Sequence, residues 1–166
     1  MKIMSIFILC AAALLTQQAM AADIIRHKNP GSNFPIAMAV EIPVGKTTVY
    51  MSGAGPAIAD KTLPPTSPAA YGNTHIQTIS TMEKIRAQLQ SINLDMKDVV
   101  KMTVFLVGDP AKEGKMDFAG FMEGYTKYFG DAAKQPNLPA RSTLQVPALA
   151  NPGWLVEIEV TAVRPK

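Results

Sequence analysis

The sequence predicts a single α/β domain: one mixed β-sheet with two helices packed on one of its faces. Residues 98–107 and 154–163 alternate apolar and polar side chains with the period of a strand. Residues 73–92 and 116–129 instead repeat apolar side chains every three or four positions, the period of a helix. The order strand, strand, helix, strand, helix, strand, strand suits one sheet with both helices on the same side. That arrangement leaves the other face of the sheet bare, and packing against one or two further copies, as a dimer or a trimer, would cover it.

At the N-terminus Met1-Lys2 supplies a positive end and Ile3 to Leu15 is apolar apart from Ser5. The chain then turns polar at Thr16-Gln17-Gln18 and reaches Ala19-Met20-Ala21. This is the order of a secretory signal peptide, with cleavage expected after Ala21 and the mature chain beginning at Ala22. The apolar run falls short of the roughly 20 residues that a helix needs to cross the hydrocarbon, so no membrane attachment is expected once the signal is removed. Residues 1–21 are therefore read as the signal and 22–166 as the domain, delivered to the periplasm or secreted.

The single cysteine, Cys10, lies inside the apolar run after Leu9, where lipid attachment would call for a small residue at the end of the segment. The mature chain has no cysteine, which excludes a disulfide framework, a thiol nucleophile and a thiolate metal site. Loss of Lys2 with the signal takes the net charge from +3 to +2. The basic residues are scattered among acids with no stripe of the kind that holds nucleic acid, so a small-molecule or protein partner is expected.

Residues 26–35 are turn-rich and read as a lead-in. Ile36 to Ile42 and Thr47 to Ser52 read as strands joined through Pro43-Val-Gly-Lys46 as a hairpin. Gly53-Ala-Gly-Pro56 follows, where missing side chains allow close approach by another chain or a ligand. Residues 57–72 contain Pro64-Pro65, Pro68 and Gly72 and predict a long surface loop, either a functional flap or a disordered insertion.

Asn73 or Thr74 caps the first helix, whose apolar face is Ile76, Ile79, Met82, Ile85, Leu89 and Ile92. In the strand 98–107, Val100, Met102, Val104 and Leu106 share one face. The second helix, from about Met116 to Phe129, carries Phe118, Phe121, Met122, Tyr125, Tyr128 and Phe129, an aromatic stripe read as core. Arg141 to Val146 is a short strand, and Pro147 to Gly153 connects it to the last one. There Val156, Ile158, Val160 and Ala162 point one way, and Glu157 and Glu159 share the other face.

Six segments taken in order resemble the Rid (YjgF-type) family of reactive-intermediate deaminases. They are Val49-Tyr-Met-Ser-Gly53, Asn73-Thr-His-Ile-Gln-Thr78, Asp98-Val-Val-Lys-Met-Thr-Val-Phe-Leu106, Phe118 to Phe129, Pro139-Ala-Arg-Ser142 and Val156-Glu-Ile-Glu-Val160. The last two are the most specific, and the resemblance runs from about residue 35 to the end. It implies a chorismate-mutase-like fold assembled as a homotrimer, with ligand pockets in the clefts between subunits. It also implies hydrolysis of short-lived enamines and imines of amino-acid metabolism to 2-oxo acids and ammonia, with no metal and no organic cofactor. Some members are described as ribonucleases or translation inhibitors, roles that an export signal argues against.

Arg141 matches the family's substrate-binding arginine, and its planar fork of donors suits a carboxylate in two parallel hydrogen bonds. Glu157 matches the glutamate that positions the attacking water, where a carboxylate can accept the water's proton. The other reading of Glu157 and Glu159 is a solubilising or inter-subunit pair. Gly53 and Thr143 would lend backbone groups to the ligand and Ser52 its hydroxyl. Two departures remove hydrogen-bonding groups common in the family: Ile36 stands after Pro35 in place of a tyrosine, and Met122 in place of an asparagine. His27 and His75 form no cluster with ligand spacing, and no metal site is expected. Two functions remain: an exported imine or enamine deaminase acting on small carboxylates, or a trimer that binds a small carboxylate or a protein without turnover.

Overall fold

Each element begins where its backbone groups find partners, and these starts also set the site. The computed structural model describes residues 23–165; the expected signal segment, 1–21, lies outside them. The chain runs β1 (Ile25–Lys28), β2 (Ala37–Glu41), β3 (Thr48–Tyr50), α1 (Thr74–Ser91), β4 (Val99–Val107), α2 (Phe118–Tyr125), β5 (Ala140–Val146) and β6 (Val156–Val163). The strands form one sheet in the order β1-β2-β5-β4-β6-β3. It is mixed: β5 runs parallel to β2 and β4, while β1–β2, β4–β6 and β3–β6 are antiparallel. Parallel β4 and β5 are joined through α2, the crossover that parallel pairing requires.

The Asn73 side chain accepts from the Ile76 N–H at 3.0 Å and starts α1; Asp117 does the same for Gly120 at 3.1 Å and starts α2. Each satisfies one of the N–H groups that a helix start leaves without a partner. Both helices pack on one face of the sheet. The core joins Met82, Ile85 and Leu89 of α1 and Phe121 and Tyr125 of α2 to Met102, Val104 and Leu106 of β4 and to Val156, Ile158 and Val160 of β6. On the opposite face Tyr50 and Leu144 are 82% and 46% exposed.

The fold departs from the sequence reading at three places. First, residues 26–35 are not all lead-in, because Ile25–Lys28 is a strand whose pairing with β2 runs from Ile25↔Glu41 to Lys28↔Ala37. Second, the segments around 36–42 and 47–52 do not form a hairpin. The ladder groups of β2 are taken by β1 on one side and by the start of β5 on the other, where the Ala37 N–H donates to Pro139 O at 3.0 Å. The chain turns at 43–46, but β3 goes to the far edge of the sheet and pairs with β6. Third, the buried face of α1 is apolar only in its second half: Ile76 is 47% exposed, whereas Thr74, Gln77, Thr78 and Thr81 are buried.

Gln77 explains how a polar helix start can be buried. Its amide NH₂ donates to Gly72 O at 3.0 Å and Gly153 O at 3.2 Å, and its Oε1 accepts from the Leu155 N–H at 2.7 Å. One side chain therefore satisfies three backbone groups that lie where no strand pairs. Nearby, the 57–72 loop closes on itself. The Ala59 and Asp60 N–H groups both donate to Ala70 O, Pro68–Ala70 makes a 3₁₀ turn, and the buried Tyr71 hydroxyl donates to Pro65 O at 2.9 Å and accepts from Asn151 Nδ2 at 2.8 Å. This fixes the loop against the 147–153 connection. A Cβ at Gly153 would run into the Tyr71 ring, so glycine is what lets the two meet.

Candidate functional site

Arg141 is the second residue of β5 and is in register with Met102 of β4, on the helix-covered face. There α2 presents Phe118, Phe121 and Tyr125, spaced three and four apart and therefore on one side of the helix. The guanidinium carbon lies 4.2 Å from the Tyr125 ring centre, 4.9 Å from Phe121, 5.4 Å from Phe34 and 6.0 Å from Phe118. Four aromatic faces thus surround one cation, an arrangement favoured by the negative faces of the rings. Phe34 and Phe118 stack on each other at 6.4 Å with 16° between their planes. Tyr125 is held by its hydroxyl, which donates to Pro35 O at 2.7 Å, so the 34–36 segment is fastened over the same arginine.

What the box lacks is an acid. Among the described residues Arg141 takes part in no ion pair; its Nη2 faces the Met122 sulfur at 3.3 Å, and Nη1 is out of contact with solvent with no hydrogen-bond acceptor. Burial lowers the pKa of Arg141, and the neighbouring Tyr125 acts in the opposite sense. The Tyr125 phenol is itself pushed well above its ordinary range by burial, against the pull of the Arg141 charge, and stays a neutral donor. Thr143, two residues along β5 on the same face, also has a buried hydroxyl without a partner. A part-buried guanidinium with one nitrogen unpaired can take a carboxylate in a charge-assisted hydrogen bond once the ligand displaces the side chains that cover it.

Glu157 lies elsewhere. It sits between Val156 and Ile158, both fully buried against the helices, and is in register with Phe105, so its side chain emerges on the opposite face of the sheet from Arg141. The carboxylate is placed over Gly53: a Cβ there would lie 3.0 Å from Glu157 Cδ and closer still to Oε1. Ser52 and Gly53 are exposed in the extended segment after β3, and the next residue, Ala54, is bonded to Ile158 in both directions at 2.9 and 3.0 Å. The expected site residues therefore form two clusters, Arg141 with Thr143 and Glu157 with Ser52 and Gly53. A single chain does not bring them together.

The family model described as Endoribonuclease L-PSP matches residues 30–164. The chain belongs to this family, the Rid (YjgF-type) proteins. Protein DfrA of Myxococcus xanthus is 36% identical over 129 residues, which are 78% of this chain and 85% of DfrA. A RutC family protein of Pyrococcus horikoshii is 33% identical over 101 residues, 61% of this chain and 71% of its own. Among solved structures, the Rid protein YyfB of Yersinia pestis superposes with a TM-score of 0.58 at 23% identity, covering 84% of this chain and 98% of YyfB. Escherichia coli TdcF, whose crystal structure holds bound serine, gives 0.54 at 28% identity, covering 85% and 97%.

Against this Rid background the aromatic residues around Arg141 are site residues that the sequence did not single out. Phe34 sits in the stretch that the sequence reading assigned to the lead-in, yet it is the aromatic residue of the 34–36 segment that is seated on Arg141. Ile36 lines a concavity with Phe34, Pro35, Lys28, Gly130 and Leu138. Tyr125 and Phe118 were read as core. They are core, but their ring faces also form the arginine's bed. The Phe34-Pro35 pair was the available signal, an aromatic residue placed beside a proline in an otherwise polar stretch.

Proposed function

We propose that this Rid protein hydrolyses small imine and enamine carboxylates to the 2-oxo acid and ammonia. The observation that carries the reading is Arg141: a part-buried cation on an aromatic bed, with no acid paired to it among the described residues and one shielded nitrogen lacking an acceptor. A substrate carboxylate would complete it. Glu157, fixed over Gly53, would accept a proton from water as the water oxygen attacks the imine carbon. Glu157 returns that proton to the nitrogen, giving a carbinolamine. As the carbinolamine hydroxyl then passes its own proton to the nitrogen by the same carboxylate, the carbon–nitrogen bond breaks and NH₃ leaves, so R–C(=NH)–COO⁻ and water become R–CO–COO⁻ and NH₃. The chain's own residues suffice for this chemistry, without metal or organic cofactor.

Since Arg141 and Glu157 lie on opposite faces of the sheet, the reading requires that a cleft between subunits join the arginine cluster of one copy to the glutamate cluster of the next. The homotrimer that the family resemblance implies would supply such a cleft, with Glu157 on the open face that also carries Tyr50 and Leu144 meeting the Arg141 edge of the next copy. We place the mature protein in the periplasm or outside the cell, on the strength of the Lys2, apolar run and Ala19-Met20-Ala21 pattern. The second reading, a trimer that binds a small carboxylate or a protein without turnover, is favoured by Met122, which meets Arg141 with a thioether where the family resemblance implies an asparagine.

The test is to generate 2-imino acids in place with an amino-acid oxidase and catalase, then follow their loss with and without the protein. Acceleration that disappears in Glu157→Gln supports the enzyme. Wild-type protein that binds 2-oxo acids and never accelerates hydrolysis leaves the binding reading.

A further inference from the structure

We propose that the Arg141 site selects ligands whose side chain is apolar or aromatic over those bearing a hydroxyl or a charge. This rests on the reading of Arg141 as the carboxylate receptor and adds what surrounds the rest of the ligand. The groups nearest the guanidinium are the rings of Phe34, Phe118, Phe121 and Tyr125 and the Met122 sulfur. Phe121 and Tyr125 are fully buried beneath it. Phe34, by contrast, is 40% exposed, and Phe118 and Met122 are partly so, which leaves these three to meet a ligand.

None of those three side chains offers a strong hydrogen bond, since a thioether is a weak acceptor and a phenyl ring has no polar atom. The Tyr125 hydroxyl is committed to Pro35 O. The Thr143 hydroxyl, two residues along β5, is unpaired but shielded from solvent, so it offers the ligand side chain no partner at the exposed wall. A hydroxyl carried on the ligand side chain would be desolvated there without a partner, whereas a methyl or phenyl group would find the stacked Phe34–Phe118 pair.

The experiment is calorimetric binding of 2-oxo acids to the mature protein starting at Ala22. 2-Oxobutanoate and 3-hydroxypyruvate have nearly the same shape and differ by a methyl against a hydroxyl. The first should bind about tenfold to a hundredfold more tightly, the range over which an apolar pocket rejects an added hydroxyl. Phenylpyruvate should bind more tightly than pyruvate, and Phe34→Ala should reduce that ratio of affinities about tenfold. Met122→Asn should narrow the methyl-over-hydroxyl preference. Equal affinity for the matched pair, or tighter 3-hydroxypyruvate, overturns the selectivity while leaving the carboxylate site standing. Failure of every 2-oxo acid to bind, with Arg141→Ala silent, overturns the site reading and this inference with it.

Discussion

At Arg141 a guanidinium differs from an ammonium in shape rather than in charge, and the aromatic bed makes the difference measurable. Arg141→Lys keeps the charge but loses both the planar contact with Tyr125 at 4.2 Å and the two-pronged edge, so 2-oxo acid binding should weaken clearly. Arg141→Ala should weaken it by about 2–5 kcal/mol, roughly thirtyfold to several thousandfold in Kd, read by calorimetry. Gly53 gives an independent handle on Glu157. Its backbone does not have a positive φ, so alanine is conformationally acceptable, but the added methyl must displace the Glu157 carboxylate. Gly53→Ala should therefore lower kcat about tenfold to a hundredfold, a larger effect than it has on 2-oxo acid affinity. Unchanged kcat in that variant would remove Glu157 from the reaction.

Among the elements, α1 is the one whose local sequence and packing differ most. Its first half is buried through hydrogen bonds, and Gln77 supplies three of them to residues 72, 153 and 155. Gln77→Leu keeps the approximate volume but strands the Leu155 N–H and two carbonyls. The expected loss is about 3–4 kcal/mol in all, the low end for three groups that each cost about 1–3 kcal/mol when left unpaired, because Gly72 O is only part-buried. At about 2–4 °C per kcal/mol for a domain of this size, the thermal midpoint should fall by roughly 5–15 °C. A shift below a degree would mean that water replaces the amide without cost. The same clasp holds Gly153 against Tyr71 and the closed 57–72 loop, so the variant should also speed proteolytic cutting in that loop.

For the whole molecule, the two-cluster site and the open sheet face make the same demand. Sedimentation of the mature protein should give three times the monomer mass. A stable monomer would leave Arg141 and Glu157 on opposite sides of one sheet and end the proposed mechanism. The export proposal is checked separately by fractionating cells and sequencing the N-terminus of the recovered protein. The expected sequence begins at or next to Ala22; protein recovered from the cytoplasm with Met1 intact would refute it.

The sequence by itself determined which residues share a face within an element. The alternation of 98–107 and 154–163 put Met102, Val104, Leu106, Val156, Ile158 and Val160 in the core, where they are found, and of the two capping candidates for α1, Asn73 and Thr74, the structure has Asn73. The Pro139-Ala-Arg-Ser142 and Val156-Glu-Ile-Glu-Val160 segments pointed to the Rid family, which the family match bears out. Pairing was decided elsewhere. A strand's N–H and C=O groups bond equally well to any neighbour, so periodicity could not show that β2 prefers β1 and β5 to β3. The buried polar face of α1 was hidden for a similar reason, because the three backbone groups that Gln77 satisfies lie close in space and far apart along the chain. Only the tertiary structure placed Phe34 on Arg141 and set Arg141 and Glu157 on opposite faces, because which face each strand turns toward the helices depends on the packing of all the layers together.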